Sequence, residues 1–289
     1  MDNPEPCKFP YASHVRYDSL GNMKNSISRM WLTCLFAVIN AVVFVSLWAR
    51  AGFTAPSSAL LLDWGGNLAP FTLTGESWRL LTSAFLHVGW MHLLLNLYML
   101  IVLGTLIERA IGSLRYGVVY LLSALGGSLA SSSWYGFHET QTMQFAMGMF
   151  IPTTAIHPVV SVGASGALMG LAGAAAALHF HASLRNEGTA PVQIKPVAIL
   201  QVIVLNLLSG FQISGIDQAA HIGGLCTGFL IGLMLQWLAC GPKLVRLGAP
   251  PVIGVVFAAL IFYFAQHAGT QDLFEWKRAM MEQNATQTE

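Results

Sequence analysis

A chain of 289 residues that is 55% hydrophobic and only 9% charged is not an ordinary soluble domain, in which roughly a quarter of residues are charged. Its formal net charge of +1 gives no reason to expect a nucleic-acid partner. The cysteines Cys7, Cys34, Cys226 and Cys240 show no spacing that points to a metal site or a disulfide framework.

In chain order, residues 1–29 read as an N-terminal tail too short to bury a core of its own. Seven nearly uncharged runs follow, against the ~20 residues that a helix needs to cross a bilayer. The first is Trp31 to Trp48. With no clear small-residue cleavage site after it, it reads as a retained helix and not a signal peptide. The second, Phe85 to Ile107, carries His87, His92 and Asn96, and the third is Tyr116 to Tyr135. A long loop, Gly136 to Pro158, holds an apolar stretch from Phe145 to Pro152 that is expected to dip into the membrane or cover a site. The fourth run, Val159 to Leu178, has Ser165 near its start. The fifth, sixth and seventh are Pro196 to Phe211, Ala219 to Cys240 and Pro251 to Gln266, and the fifth and seventh are short. The expectation is an all-α polytopic membrane protein.

Basic residues orient it. Lys8, Arg16, Lys24 and Arg29 precede the first run, Arg109 and Arg115 lie between the second and third, Arg185 and Lys195 between the fourth and fifth, and Lys243 and Arg246 between the sixth and seventh. Only Arg50, Arg79, Lys277 and Arg278 fall on the other side. The positive-inside rule makes the richer side cytoplasmic, with the N-terminus in and the tail after the seventh run out. The second, fourth and sixth runs then travel from outside to inside. At 1.5 Å per residue, Ser165 and His221 lie within a turn or two of the outer end, His92 about two turns down and Asn96 about three. Polar groups gathered at one depth in hydrocarbon mark a functional site by default.

Ser165 stands in Gly163-Ala164-Ser165-Gly166, where glycines permit a tight turn and a helix start offers unpaired amides and the positive end of a dipole. Such a serine is a candidate nucleophile, and equally an ordinary helix cap. Gly166, Gly170 and Ala174 form a four-residue ladder on the fourth run, and Ala220, Gly224, Gly228 and Gly232 form another on the sixth. Small-xxx-small ladders let helices meet backbone to backbone. A crossing there would bring Ser165 to His221 as nucleophile and base. His92 and Asn96, four apart, share a helix face and could donate to an oxyanion or form a polar clamp. His87, roughly 140° around from His92 on a continuous helix, is expected to face elsewhere or lie at the interface. His179 and His181 are expected at the opposite interface. No HExxH-like spacing appears, so neither metal nor cofactor is expected.

Together these residues resemble the rhomboid family of intramembrane serine proteases. The matching pieces are Glu76-Ser77-Trp78-Arg79, His87 to Asn96, Glu108-Arg109 through Gly112-Ser113, Gly163 to Gly166, and Ala220-His221-Ile222-Gly223-Gly224. They cover roughly residues 31 to 240. The resemblance implies a Ser165–His221 dyad, and an oxyanion hole made by His92, Asn96 and the Ser165 N–H beside Gly163. It implies a six-helix core over 30–240 with a water-filled cavity open to the outside. A seventh helix and tail would follow over 241–289, as in six-plus-one members. Trp78 and Arg79 would lie in a loop partly in the membrane, and Glu108 and Arg109 would brace the inner end of the second helix. Met169 stands where the family often has an aromatic residue packed on the catalytic ring. The partners implied are transmembrane protein substrates and the bilayer, and the location is a bacterial inner membrane. A non-cleaving relative would lack Ser165 or His221, and a transporter would show an internal repeat that this chain lacks.

Overall fold

The computed structural model describes residues 30–146, 149–184, 194–212, 216–239 and 241–286. The tail 1–29 with Cys7, the basic Arg185, and Cys240 lie outside them. Among the described residues the fold is a helical bundle with one small hairpin. Five helices among the described residues are long and apolar enough to cross a membrane: Trp31–Arg50, Trp90–Ile111, Ser165–Leu184, Gln218–Ala239 and Lys243–His267. Ser113–Phe137 is also long, at 25 residues, but is broken up by serines and glycines, and the apolar helix Pro196–Leu208 is shorter.

Helix α1 (Trp31–Arg50) buries Thr33, Phe36, Asn40, Phe44 and Leu47, a stripe at spacings of three and four, and exposes Leu35, Val38, Val42 and Val45. One face meets the bundle and an apolar back remains for lipid. The loop after it holds three short helices, α2 (Ser58–Asp63), α3 (Ala69–Thr72) and α4 (Arg79–Thr82), then a 3₁₀ turn at Ser83–Phe85. The second span starts later than its apolar run. Gly89 is fully extended and α5 (Trp90–Met99) begins after it, continuing through a π-helical turn, Leu100–Gly104, into α6 (Thr105–Ile111). Gly112, at φ +84°, makes the left-handed corner into α7 (Ser113–Phe137), the central helix.

The loop after α7 is a hairpin, which the sequence reading did not anticipate. β1 (Glu139–Ala146) pairs antiparallel with β2 (Met149–Ile156), in register from Glu139–Ile156 to Ala146–Met149. Its threonines, phenylalanines and isoleucines favour extended backbone.

The fourth span also begins late. Residues 159–164 precede helix α8 (Ser165–Leu184) outside any helix. Their backbone groups are satisfied elsewhere: Ser161 and Asn67 exchange two hydrogen bonds, 2.8 and 3.0 Å, and the Gly163 N–H donates to Ser83 O at 2.9 Å. Then come α9 (Pro196–Gln212), α10 (Gln218–Ala239) and α11 (Lys243–His267). Pro250 and Pro251 lie inside α11 and do not start it, so the seventh helix is longer than its apolar run. The tail forms α12 (Gln271–Thr286), whose Leu273 is fully buried against the rest of the protein. Helix α8 is mostly buried and α11 mostly exposed, so α11 lies at the rim of the bundle.

Candidate active site

Helices α8 and α10 touch along their glycine ladders. A methyl group added to Gly224 would fall on the Gly166 carbonyl, and one on Gly228 would fall on Gly170. One turn on, a methyl on Gly232 would stand 2.9 Å from the Ala174 Cα. No side chain larger than hydrogen fits these positions without moving a backbone. The contact extends to α7, where a methyl on Gly127 would come within 2.8 Å of the Ala220 carbonyl and 3.4 Å of the Gly166 Cα. The peptide next to His221 and the residue next to Ser165 therefore meet against one point on the central helix.

Ser165 is the first residue of α8 and is half-buried. Its turn depends on Gly163, at φ +127°, a conformation that side-chain-bearing residues rarely adopt. There is a second reason for glycine: a methyl there would lie 2.7 Å from His92 Nε2 and 3.9 Å from Ser165 Oγ. That approach puts the His92 ring beside the serine turn, with α5 delivering the imidazole and the extended segment delivering the hydroxyl. His221 is buried on α10, one turn after Asp217. The Asp217 carboxylate accepts from the Ala220 N–H at 2.9 Å, a cap on the first turn of α10, and Asp217 O accepts from the His221 N–H at 3.2 Å.

Asn96 is buried one turn below His92 and donates one amide hydrogen to His92 O at 2.8 Å. An amide carries two donor hydrogens, so one remains for another acceptor. His87 corrects its expectation. It lies neither on the helix nor at an interface: it is fully buried, with its ring 5.0 Å from that of His92 in edge-to-face contact. The extended Gly89 ends helical continuity, so the helical-wheel angle does not apply. His181, expected at an interface, is also buried, edge-on to the Trp237 ring at 5.8 Å. Met169 is buried in α8, one turn on from Ser165.

The motif residues at the two ends of the bundle hold loops in place. Arg79 is buried and donates to Glu76 Oε2 at 2.8 Å and to the carbonyls of Leu62 and Gly66, with its guanidinium 4.7 Å from the Trp78 ring. Trp78 itself is largely exposed. Glu108, also buried, accepts from Leu32 N, Thr33 N and Oγ1, and Ser113 Oγ, at 2.6–3.1 Å. It thus caps α1 and ties that helix to α6 and α7, with a fully satisfied carboxylate at a positive helix end. Arg109 is half-buried beside it. Asn67, which no local motif marks, pins the first loop to the central helix: it donates to Ser128 O and accepts from Thr72 and Ser132 hydroxyls, at 2.7–2.9 Å. Among the described residues no group of three His, Cys, Asp or Glu side chains is placed to hold a metal.

The bundle of apolar helices agrees with comparisons to known proteins. A family model for the Rhomboid domain matches residues 74–238. "Rhomboid protease AarA" of Providencia stuartii is 31% identical over 214 residues, covering 72% of this chain and 73% of that protein. "RHOMBOID-like protein 6, mitochondrial" of Arabidopsis thaliana is 35% identical over 191 residues, 63% of this chain and 52% of that protein. "Rhomboid protease GluP" of Bacillus subtilis is 32% identical over 239 residues, 82% of this chain and 41% of that protein. The chain thus spans most of the first relative and about half or less of the other two.

Proposed function

The chain belongs to the rhomboid family, and from that premise we propose that it is an intramembrane serine endopeptidase with a Ser165–His221 dyad. The observation that carries this reading is the backbone contact of α8 with α10 at Gly166 and Gly224, immediately after Ser165 and three residues after His221. Ser165 Oγ attacks the scissile carbonyl carbon while His221 takes the hydroxyl proton. Negative charge gathers on the carbonyl oxygen, where His92, the free amide hydrogen of Asn96 and the Ser165 N–H donate to it. The intermediate collapses, and the leaving amine takes the proton back from His221. Water, activated by the same imidazole, then hydrolyses the acyl-enzyme.

The substrates are single-span membrane proteins. A membrane helix hides its peptide groups in i to i−4 hydrogen bonds, whereas a serine nucleophile needs an extended strand. Ser165 near the outer end of its span reaches the outer end of a substrate helix, where glycine, proline or polar residues loosen it. The enzyme works in this reading as a multi-pass protein of the bacterial inner membrane with residues 1–29 in the cytoplasm, residues 30–240 as the catalytic core, and residues 241–289 as the added helix and tail.

A fluorescent fluorophosphonate tests the nucleophile. The detergent-solubilised protein should become labelled and the Ser165→Ala variant should not. Equal labelling of the two would end the assignment.

A further inference from the structure

The tail beyond the seventh helix does not hang free. In α12, Leu273, Trp276, Lys277 and Met280 fall at spacings of three, one and three, which puts them on one face. That face meets the first loop. Leu273 is fully buried, and Trp276 and Met280 pack on the cluster Leu62, Leu68 and Phe71, on which Val160 also packs. The Lys277 ammonium lies 2.7 Å from Glu76 Oε1, while Arg79 holds Glu76 Oε2 at 2.7 Å. Both cations also lie near the Phe71 ring, Lys277 at 5.0 Å and Arg79 at 5.3 Å. The turn into α12 is fitted as closely, since a methyl on Gly269 would stand 2.7 Å from Leu73 O.

The contact continues toward the serine. Val160 is the neighbour of Ser161, which pairs with Asn67 of the first loop, and Gly163 is held by Ser83 O. Gly163 in turn lies against His92 and precedes Ser165 by two residues. Of the four basic residues that the sequence assigns to this side of the membrane, Arg79 and Lys277 thus share a single carboxylate.

We propose that Lys277 is a positioning residue, and that α12 is a strap through which it holds the first loop and the 159–163 segment so that the Ser165 turn stays formed. Lys277 touches no reacting group; it acts through Glu76. The proposal rests on Ser165 being the nucleophile.

The test uses the full-length protein in detergent, with the rate of fluorophosphonate labelling at Ser165 as readout, since a small probe reports the serine turn without needing a docked substrate helix. Lys277→Ala should slow labelling several-fold. Lys277→Met, which keeps an apolar stem without the charge, should do the same, and it serves where the alanine variant fails to fold. Lys277→Arg should restore the rate, and Arg278→Ala, on the exposed side of the same helix, should leave it unchanged. Melting temperatures separate slowed labelling from unfolding. Wild-type labelling by Lys277→Met, or an equal loss in Arg278→Ala, would overturn the strap. Labelling of Ser165→Ala would instead overturn the nucleophile and leave the docking of α12 as a structural fact.

Discussion

The carbonyl of Gly166 occupies the space that a side chain on Gly224 would need. This single contact brings the start of α8 against the start of α10, because each glycine lies within a turn of a candidate catalytic residue. Gly224→Ala should therefore push the two helices apart. Overpacking of this kind costs about 1–3 kcal/mol. We expect a lowered melting temperature and loss of cleavage together. Gly248→Ala, where nothing lies within 4 Å of the added methyl, should change neither.

Ser165→Ala and His221→Ala should each reduce cleavage of a membrane-anchored reporter to near background, with expression and melting temperature close to wild type. Residues that act as one unit are strongly non-additive. The double variant should therefore be scarcely slower than either single one, and clear turnover by Ser165→Ala would remove the dyad mechanism.

His92→Ala and Asn96→Ala should each slow the chemical step by roughly 10²–10³, the usual effect of losing one oxyanion donor. Asn96 also bonds His92 O within its own helix, so a purely structural role would appear as a lower melting temperature with normal turnover. Single-turnover rates beside melting curves separate the two.

Burial acts to raise the Glu76 carboxyl, but the hydrogen bonds and charges of Lys277 and Arg79 outweigh it and hold the group below its ordinary value of 4.5. A carboxylate depressed on folding contributes stability above its unfolded value, and that contribution is lost as pH falls through the folded value. Docking of α12 should therefore be constant from pH 7 to pH 5 and weaken only below 4.5. Protease access to the tail measures it. Glu76→Gln should show weakened docking already at pH 7 and little further change in acid.

A reporter fused after Gly269 should lie on the opposite side of the membrane from one fused after Leu244. Helix α11 separates the two points, and Gly269 packs on Leu73 of the first loop. Reporters reading the same side would mean that Lys243–His267 does not span.

The bundle was legible in the sequence because apolar length and four-residue spacing are local properties. Gly166, Gly170 and Ala174 face Gly224, Gly228 and Gly232 as their spacing predicts. Helix starts were less legible. The runs from Phe85 and Val159 look continuous in composition, yet the helices begin at Trp90 and Ser165. Hydropathy does not say where a backbone N–H finds its partner. Ser161 pairs across to Asn67, and nothing near either residue announces it. The same holds for the buried His87, whose place depends on where the helix begins. The face of α12 was visible in principle, as Leu273, Trp276 and Met280 follow helical spacing, but its polar surroundings hide it from any search for membrane spans.

The contact between Lys277 and Glu76 also has a temporal side. The chain is made from its N-terminus, so the first loop exists long before the residues that fasten it. A nascent chain that already carries Ser165 and His221 but not yet Lys277 lacks that fastening, and only after the seventh helix has been made can α12 reach back to the first loop. If Lys277 sets the serine turn as proposed, a product truncated before α12 and left in the bilayer would keep Ser165 and His221 without the contact that fastens the first loop.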